Sequence, residues 1–175
     1  MCKRTWEGFV RCIMQPLVEV QNVTFGYSAV PVLEEISLHL HPGQFAAIVG
    51  PSGAGKTSLL KLLLGVLRAG QGSVRIGGRV LDGRPSSSVA YVPQIETVDW
   101  NFPVTAEQVV LMGRASRAGL WPWPSRAERR QAHALLDQLG IGEFGARHLR
   151  ALSGGQQQRV FLARALIAEP ELLVL

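Results

Sequence analysis

The stretch that decides the fold is GPSGAGKT, residues 50–57. It follows an apolar run, QFAAIVG at residues 44–50, which is typical of a parallel strand covered on both faces. It precedes a leucine-rich pattern from Thr57 to Leu64 that predicts a helix. The spacing G-x-x-x-x-G-K-S/T between a strand and a helix is that of a phosphate-binding loop. The sequence therefore predicts an α/β fold with a nucleoside triphosphate site.

The residue types in this loop match the chemistry of a polyphosphate. Glycines let consecutive backbone N–H groups surround a phosphate, and the helix N-terminus adds its positive end. We expect the Lys56 ammonium to reach the β- and γ-phosphates and the Thr57 hydroxyl to hold Mg²⁺. The predicted nucleotide-binding residues here are Gly50, Pro51, Ser52, Gly53, Ala54, Gly55, Lys56, Thr57 and Ser58.

A second candidate anion site is LSGGQ, residues 152–156. It lies just before a predicted helix that runs from about residue 155 to residue 168, so Ser153 and the two following glycines offer a hydroxyl and free amides at a positive helix end. Taken alone, the motif is more often a flexible entry to a helix.

The remaining patterns alternate between strands and helices. LVEVQNVTF at residues 17–25 and ISLHL at 36–40 alternate apolar and polar residues, which predicts an antiparallel β layer. GSVRIGGRVL at residues 72–81 and SSVAYVPQ at 87–94 indicate further strands, and the apolar run at 172–175 indicates a last one.

Residues 105–139 carry helical signals. Ser125 and Glu128 form an S-x-x-E capping box, and Gly140 is a stop signal after the helix. The apolar face expected between them consists of Ala132, Leu135, Leu136 and Leu139.

Composition limits the class of protein. With 175 residues, of which 47% are apolar, the chain fits one globular domain. It has no membrane-spanning run and no signal-peptide pattern, so we interpret it as cytosolic. The net charge of +5 includes seven arginines between Arg114 and Arg150, which we interpret as a solvated helical face rather than a nucleic-acid site. Cys2 and Cys12 are interpreted as reduced thiols without a metal.

In combination with the phosphate loop, residues 152–156 resemble the signature motif of the ATP-binding cassette (ABC) family. The resemblance covers almost all of the chain from Leu17 onward. It implies a P-loop NTPase with a RecA-like parallel sheet core, an antiparallel β layer and a helical subdomain at about residues 100–153. Residues 50–57 match the Walker A loop. The other matched positions are Tyr27, which would stack on adenine, Gln94 of the Q-loop, and Ser153, Gly154, Gly155 and Gln156 of the signature.

The resemblance also implies a mechanism with ATP and Mg²⁺. Two nucleotide-binding domains face head to tail, so that Ser153 contacts the γ-phosphate held by the partner chain. Gln94 links Mg²⁺ and the attacking water to a groove where a membrane permease docks. The expected partners are a second copy, the permease and, indirectly, a substrate-binding protein, with no nucleic acid. The expected location is peripheral, at the cytoplasmic face of the plasma membrane.

The type of transporter is indicated by the segment after Gln94. VDWNFPVT at residues 98–105 and VVLMGR at 109–114 are similar to ATPase subunits of bacterial manganese, zinc and iron importers. Siderophore or haem importers are the alternative. Trp100, Phe102 and Pro103 are also explained as packing at the boundary of the helical subdomain.

The chain departs from the family pattern at both ends. Leu175 stands where the Walker B Asp and Glu should begin, so the domain is expected to be incomplete at its C-terminus, to leave unpaired strand edges and to fold poorly. ATP binding through Lys56 is then expected without turnover. Residues 1–13 match nothing in the family and are interpreted as an extension or a mis-assigned start, which leaves 14–175 as a partial nucleotide-binding domain. A non-catalytic remnant and a soluble ABC protein are the other hypotheses.

Overall fold

The computed structural model describes residues 15–93, 103–116 and 123–175. The chain divides after Ser86 into two compact units. The first contains β1 (Val18–Phe25), β2 (Leu33–Leu40), α1 (Lys56–Leu63), β3 (Gln71–Ile76) and β4 (Arg79–Val80). The second contains β5 (Val89–Tyr91), α2 (Ala106–Met112), α3 (Arg126–Gln138), α4 (Gly154–Leu166) and β6 (Leu172–Val174), with 3₁₀ turns at Gly113–Ser116, Gly142–Phe144 and Leu149–Ala151.

An antiparallel sheet with strand order β2-β1-β3-β4 forms the first unit, and it confirms the predicted β layer. On β1, Val18 and Val20 are buried, and so are Val23 and Phe25, so the alternation slips by one residue in the middle of the strand. The register shifts between Val20 and Val23, where Asn22 adopts φ 46°. A β-bulge of this kind keeps all four apolar side chains on the core face.

The predicted helix after the phosphate loop is confirmed as α1, which buries Leu59, Leu62 and Leu63. Its neighbour β3 contributes buried Val74 and Ile76. The predicted strand at residues 72–81 is resolved into two strands, because Gly77 and Gly78 both take positive φ and turn the chain between β3 and β4. The core of this unit therefore lies between one face of the sheet and one helix.

The prediction of a strand at residues 44–50 was wrong. These residues form no strand, and Phe45 and Val49 are 89% and 90% exposed. A parallel strand needs neighbours that accept and donate its backbone hydrogen bonds. Among the described residues no strand pairs with this run.

In the second unit the predicted helices and their capping signals are observed. Ser125 caps α3 in a capping box with Glu128, and Gly140 follows the helix with φ 68°. A capping box that was not predicted, Thr105 with Gln108, begins α2. The buried core of this unit consists of Ala106, Val109, Val110, Ala132, Leu136, Ile141, Leu149, Leu152, Val160, Phe161, Ala163 and Ile167, with Leu135 and Leu139 packed against it.

The predicted last strand is observed as β6, which pairs in parallel with β5. Together they are the parallel sheet of the described residues. None of the helices in the described ranges has the length and apolar character needed to cross a membrane. The predicted extension at residues 1–13 lies outside the described residues, and the helical subdomain at about 100–153 stays a prediction.

Candidate nucleotide-binding site

The phosphate loop turns tightly into α1. Gly53 and Gly55 adopt φ 85° and 80°, in the left-handed region that favours glycine. At Gly55 a Cβ atom would also lie 2.7 Å from Leu33 Cδ2 and 3.1 Å from the Val32 carbonyl oxygen. Position 55 therefore requires a glycine for two reasons, namely its backbone conformation and its close contact with the start of β2.

Lys56 holds the beginning of the loop. Its Nζ donates hydrogen bonds to the carbonyl oxygens of Gly50 at 2.8 Å and Pro51 at 2.6 Å. An ammonium group carries three donors, so a third remains for an acceptor that enters the loop. Since residues 50–54 are exposed, the lysine lies beside a loop that an anion can reach.

The two hydroxyls after Lys56 differ in exposure. Thr57, in the first turn of α1, is exposed, whereas Ser58 is 6% exposed. Mg²⁺ prefers oxygen ligands and takes most of them from water and substrate phosphates, so a single exposed threonine hydroxyl beside a phosphate loop fits its needs. The exposed Thr57 hydroxyl therefore fits the requirements of a Mg²⁺ ligand, whereas the Ser58 hydroxyl is buried.

Tyr27 lies in the loop between β1 and β2, within the same unit as the phosphate loop. Its ring packs edge-to-face on Phe25, with centroids 5.0 Å apart, and the Ser58 Oγ donates to its hydroxyl at 3.3 Å. The side chain remains 63% exposed. An exposed aromatic ring attached to the helix that follows the phosphate loop is suited to contact a bound nucleotide base.

The second candidate anion site begins α4. Ser153 caps the helix: the Gln156 backbone N–H donates to its Oγ, and its own N–H donates to Gln156 Oε1 at 2.8 Å. At Gly154 and Gly155 a Cβ atom would meet nothing within 4 Å. Both glycines are exposed, and no contact within the described part of the chain requires a glycine at either position.

Two side chains that the sequence patterns did not indicate support this second site. Gln157 is buried, and its Nε2 donates to the Leu149 carbonyl oxygen at 3.2 Å, which ties α4 to the turn before it. Arg159 donates to the Leu139 carbonyl oxygen at 3.3 Å, at the end of α3. Three glutamines in succession gave no signal of which one is buried.

Among the titratable groups of the described residues, Glu128 has a clearly shifted pKa. Hydrogen bonds from the Ser125 backbone and side chain, together with one from Arg114, lower the pKa of Glu128 to about 2. The carboxylate thus joins the cap of α3 to an ion pair with Arg114, which follows α2. This charge supports the helices rather than a reaction.

The structure brings Tyr27 together with the phosphate loop in the first unit and places Ser153 to Gln156 in the second. Gln94, Trp100 and Phe102 lie outside the described residues, and Pro103 is exposed. Within the described ranges no group of three or more His, Cys, Asp or Glu side chains could hold a metal ion.

The phosphate loop, the helix after it, the antiparallel sheet and the parallel strand pair define a P-loop nucleotide-binding α/β protein. Solved structures share this fold. An inward-facing transporter described as being of the metal-chelate ABC type is 30% identical, with a TM-score of 0.76 over 89% of this chain and 57% of that chain. The ADP conformation of an ATP-binding cassette of an ABC transporter, 20% identical with a TM-score of 0.81, shares the fold over 91% of this chain and 68% of that chain.

The particular family follows from the sequence comparison. Residues 33–175 match the family model of ABC transporters, and the chain belongs to that family. It is 45% identical to the manganese transport system ATP-binding protein MntB of Bacillus subtilis over 85% of this chain, and 43% identical to the zinc transport system ATP-binding protein TroB of Treponema pallidum over 89%. The chain spans 59% and 58% of the length of these two relatives.

Proposed function

We propose that this chain is the ATP-binding part of an ABC importer subunit that couples ATP binding and hydrolysis to uptake of a divalent metal ion. The proposal rests on the position of Lys56. Its ammonium donates hydrogen bonds to the Gly50 and Pro51 carbonyl oxygens at the edge of an exposed glycine loop. The relatives named as ATP-binding proteins of manganese and zinc transport systems support the same conclusion.

In this proposal the phosphates of ATP enter the loop from Gly50 to Ser58. The backbone amides and Lys56 bind the phosphate oxygens, and the Thr57 hydroxyl holds Mg²⁺ together with Gln94. The bound Mg²⁺ offsets part of the negative charge of the phosphates. Tyr27 stacks on the adenine ring, because it is exposed and belongs to the same unit as the loop.

The second copy of the domain approaches from the signature side. Because Gly154 and Gly155 have open space where a Cβ would stand, a phosphate bound by the partner can reach their amides. The Ser153 hydroxyl accepts one hydrogen bond within its capping box and retains a proton to donate to that phosphate. Gln94 belongs to the same proposal, as the link between Mg²⁺, the attacking water and the permease.

The transported ion is bound by other subunits in this proposal. The permease and a substrate-binding protein carry the ion while this subunit works at the cytoplasmic face of the membrane. Manganese, zinc and iron are the candidate ions. Siderophore or haem import is the second candidate, favoured by the likeness to the transporter of metal-chelate type.

The 175 residues by themselves bind ATP without turnover in this proposal. The acids that follow the Walker B strand in the family, which is β6 here, are not among these residues. Positioning of the phosphates alone leaves the attacking water without its base. ATP hydrolysis by the purified chain that disappears in Lys56→Ala would overturn this part.

The importer role is tested in the cells that carry the protein. Lys56→Ala is introduced on the chromosome, with Lys61→Ala as the matched control, because Lys61 is an exposed lysine on the same helix. Cellular manganese, zinc and iron are measured by mass spectrometry during growth under metal limitation, with iron supplied free or as a siderophore complex. We expect Lys56→Ala to lower the content of one metal several-fold and Lys61→Ala to leave it unchanged. Unchanged content of all three metals in Lys56→Ala contradicts the proposal.

A further inference from the structure

The loop that carries Tyr27 is closed on itself. The Val32 N–H donates to the Phe25 carbonyl oxygen at 2.7 Å, so the chain leaves β1 and returns to β2 through a narrow turn. At Gly26 a Cβ atom would lie 2.6 Å from the Val30 carbonyl oxygen, a distance that side chains do not tolerate. The two ends of the loop therefore lie close together, and Gly26 packs tightly against Val30.

The same loop rests against the start of α1. A Cβ added at Gly55 would meet both Leu33 Cδ2 and the Val32 carbonyl oxygen, so the two segments are in close contact. Ser58, in the first turn of α1, is almost fully buried and donates to the Tyr27 hydroxyl at 3.3 Å. The loop before β2 is thus packed directly against the end of the phosphate loop and the first turn of α1.

The orientation of the Tyr27 ring is set by two contacts of different kinds. Phe25 packs against it edge-to-face at an interplanar angle of 84°, and Ser58 holds the hydroxyl at the far end of the ring. A ring held at both ends loses little conformational freedom when it meets a ligand. Most of the side chain nevertheless remains exposed and open to that ligand.

We infer that Ser58 is a positioning residue which, through the Tyr27 hydroxyl, fixes the aromatic ring in the orientation that stacks on the base of the nucleotide bound by the phosphate loop. The inference rests on the proposed ATP site and adds a source of base recognition to it. Ser58 then acts on the base through Tyr27, because its hydrogen bond joins α1 to the loop that carries Tyr27, 31 positions earlier in the chain.

The test compares two ligands that share the phosphates and differ in the base. Binding of ATP and of inorganic tripolyphosphate is measured by calorimetry for the unchanged chain, Tyr27→Phe, Ser58→Ala and the double variant. Tyr27→Phe keeps the ring and removes only the hydroxyl. Tyr91→Phe is the matched control, because Tyr91 is a half-exposed tyrosine on β5 in the other unit.

We expect Tyr27→Phe to weaken ATP binding by about three- to tenfold, as one hydrogen bond contributes, and to leave tripolyphosphate binding within about twofold. Ser58→Ala should weaken ATP binding less in the Tyr27→Phe background than in the unchanged chain. An unchanged affinity for ATP in Tyr27→Phe, an equal loss for both ligands, or additive effects of the two substitutions each overturn the inference.

Different results would refute the proposed function and this inference. Lys56→Ala should weaken the binding of both ligands by at least about tenfold if the phosphate loop is the site. If Lys56→Ala binds ATP as tightly as the unchanged chain, the proposed site is wrong, and the inference that depends on it is wrong as well. If Lys56→Ala weakens binding of both ligands while Tyr27→Phe has no effect, only the inference is wrong.

Discussion

Substitution of Gly55 by alanine tests why a glycine is needed directly before α1. The residue has φ 80°, and an added Cβ would lie 2.7 Å from Leu33 Cδ2 and 3.1 Å from the Val32 carbonyl oxygen. The left-handed conformation costs an alanine about 1–2 kcal/mol. Crowding of the buried Leu33 costs about 1–3 kcal/mol more, because well-packed cores resist added volume.

Gly53→Ala is the matched control for this change. Gly53 has nearly the same φ, 85°, but a Cβ there would meet nothing within 4 Å. It should therefore show the conformational cost alone, about 1–2 kcal/mol. Gly154→Ala is a second control, since its φ is not positive and the space is open, and it should change stability by less than about 0.5 kcal/mol.

The measurement is urea unfolding of the full chain, followed by far-ultraviolet circular dichroism, with the slope of the transition compared between variants. The expected order of destabilisation is Gly55→Ala, about 2–5 kcal/mol, then Gly53→Ala, then Gly154→Ala. Equal losses at Gly53 and Gly55 would refute the contact between the phosphate loop and the start of β2. A loss at Gly154 as large as that at Gly55 would refute the account of the signature glycines.

Three further predictions concern single side chains. Glu128→Gln should be less stable than the unchanged chain at neutral pH. Because the pKa of Glu128 is lowered from 4.5 to about 2, the stabilisation by its carboxylate is fully present above about pH 4.5 and is lost as the pH falls through 2. The urea midpoints of the two proteins should therefore converge on acidification, and a constant difference would contradict this prediction. Thr57→Ala should reduce the effect of Mg²⁺ on ATP affinity measured by calorimetry, and an undiminished Mg²⁺ effect would contradict a role of Thr57 as a metal ligand. Ser153→Ala should destabilise the chain by about 0.5–2 kcal/mol through loss of the cap of α4, and Ser153→Asp should restore that stability while weakening ATP-dependent self-association measured by light scattering. If Ser153→Asp leaves this self-association unchanged, Ser153 does not contact the phosphate that the partner binds.

Local signals predicted the elements whose cause lies within a few residues. The glycine loop and the helix after it, the capping box of Ser125 with Glu128, and the stop at Gly140 all depend on hydrogen bonds or backbone angles that neighbouring residues determine. Such features can be derived from a sequence because the partners are close in the chain. The family match at residues 33–175 confirms the resemblance on which the nucleotide site was predicted.

Features that depend on distant partners were not predictable. The run at residues 44–50 has the composition of a buried strand, but a strand exists only where another strand pairs with it, and none of the described strands does. The hydrogen bond between Ser58 and Tyr27 joins residues on either side of β2, and no local pattern indicates it. The buried position of Gln157 is likewise set by the turn that packs against α4.

The central claim is that Lys56 and the glycine loop bind the phosphates of ATP. The most direct test is calorimetric titration of the purified chain with MgATP, beside Lys56→Ala and the control Lys61→Ala. The account predicts saturable binding that Lys61→Ala preserves and Lys56→Ala weakens by at least about tenfold, as expected for loss of a charged hydrogen-bond donor. Absence of binding by the unchanged chain, or equal binding by Lys56→Ala, would contradict it.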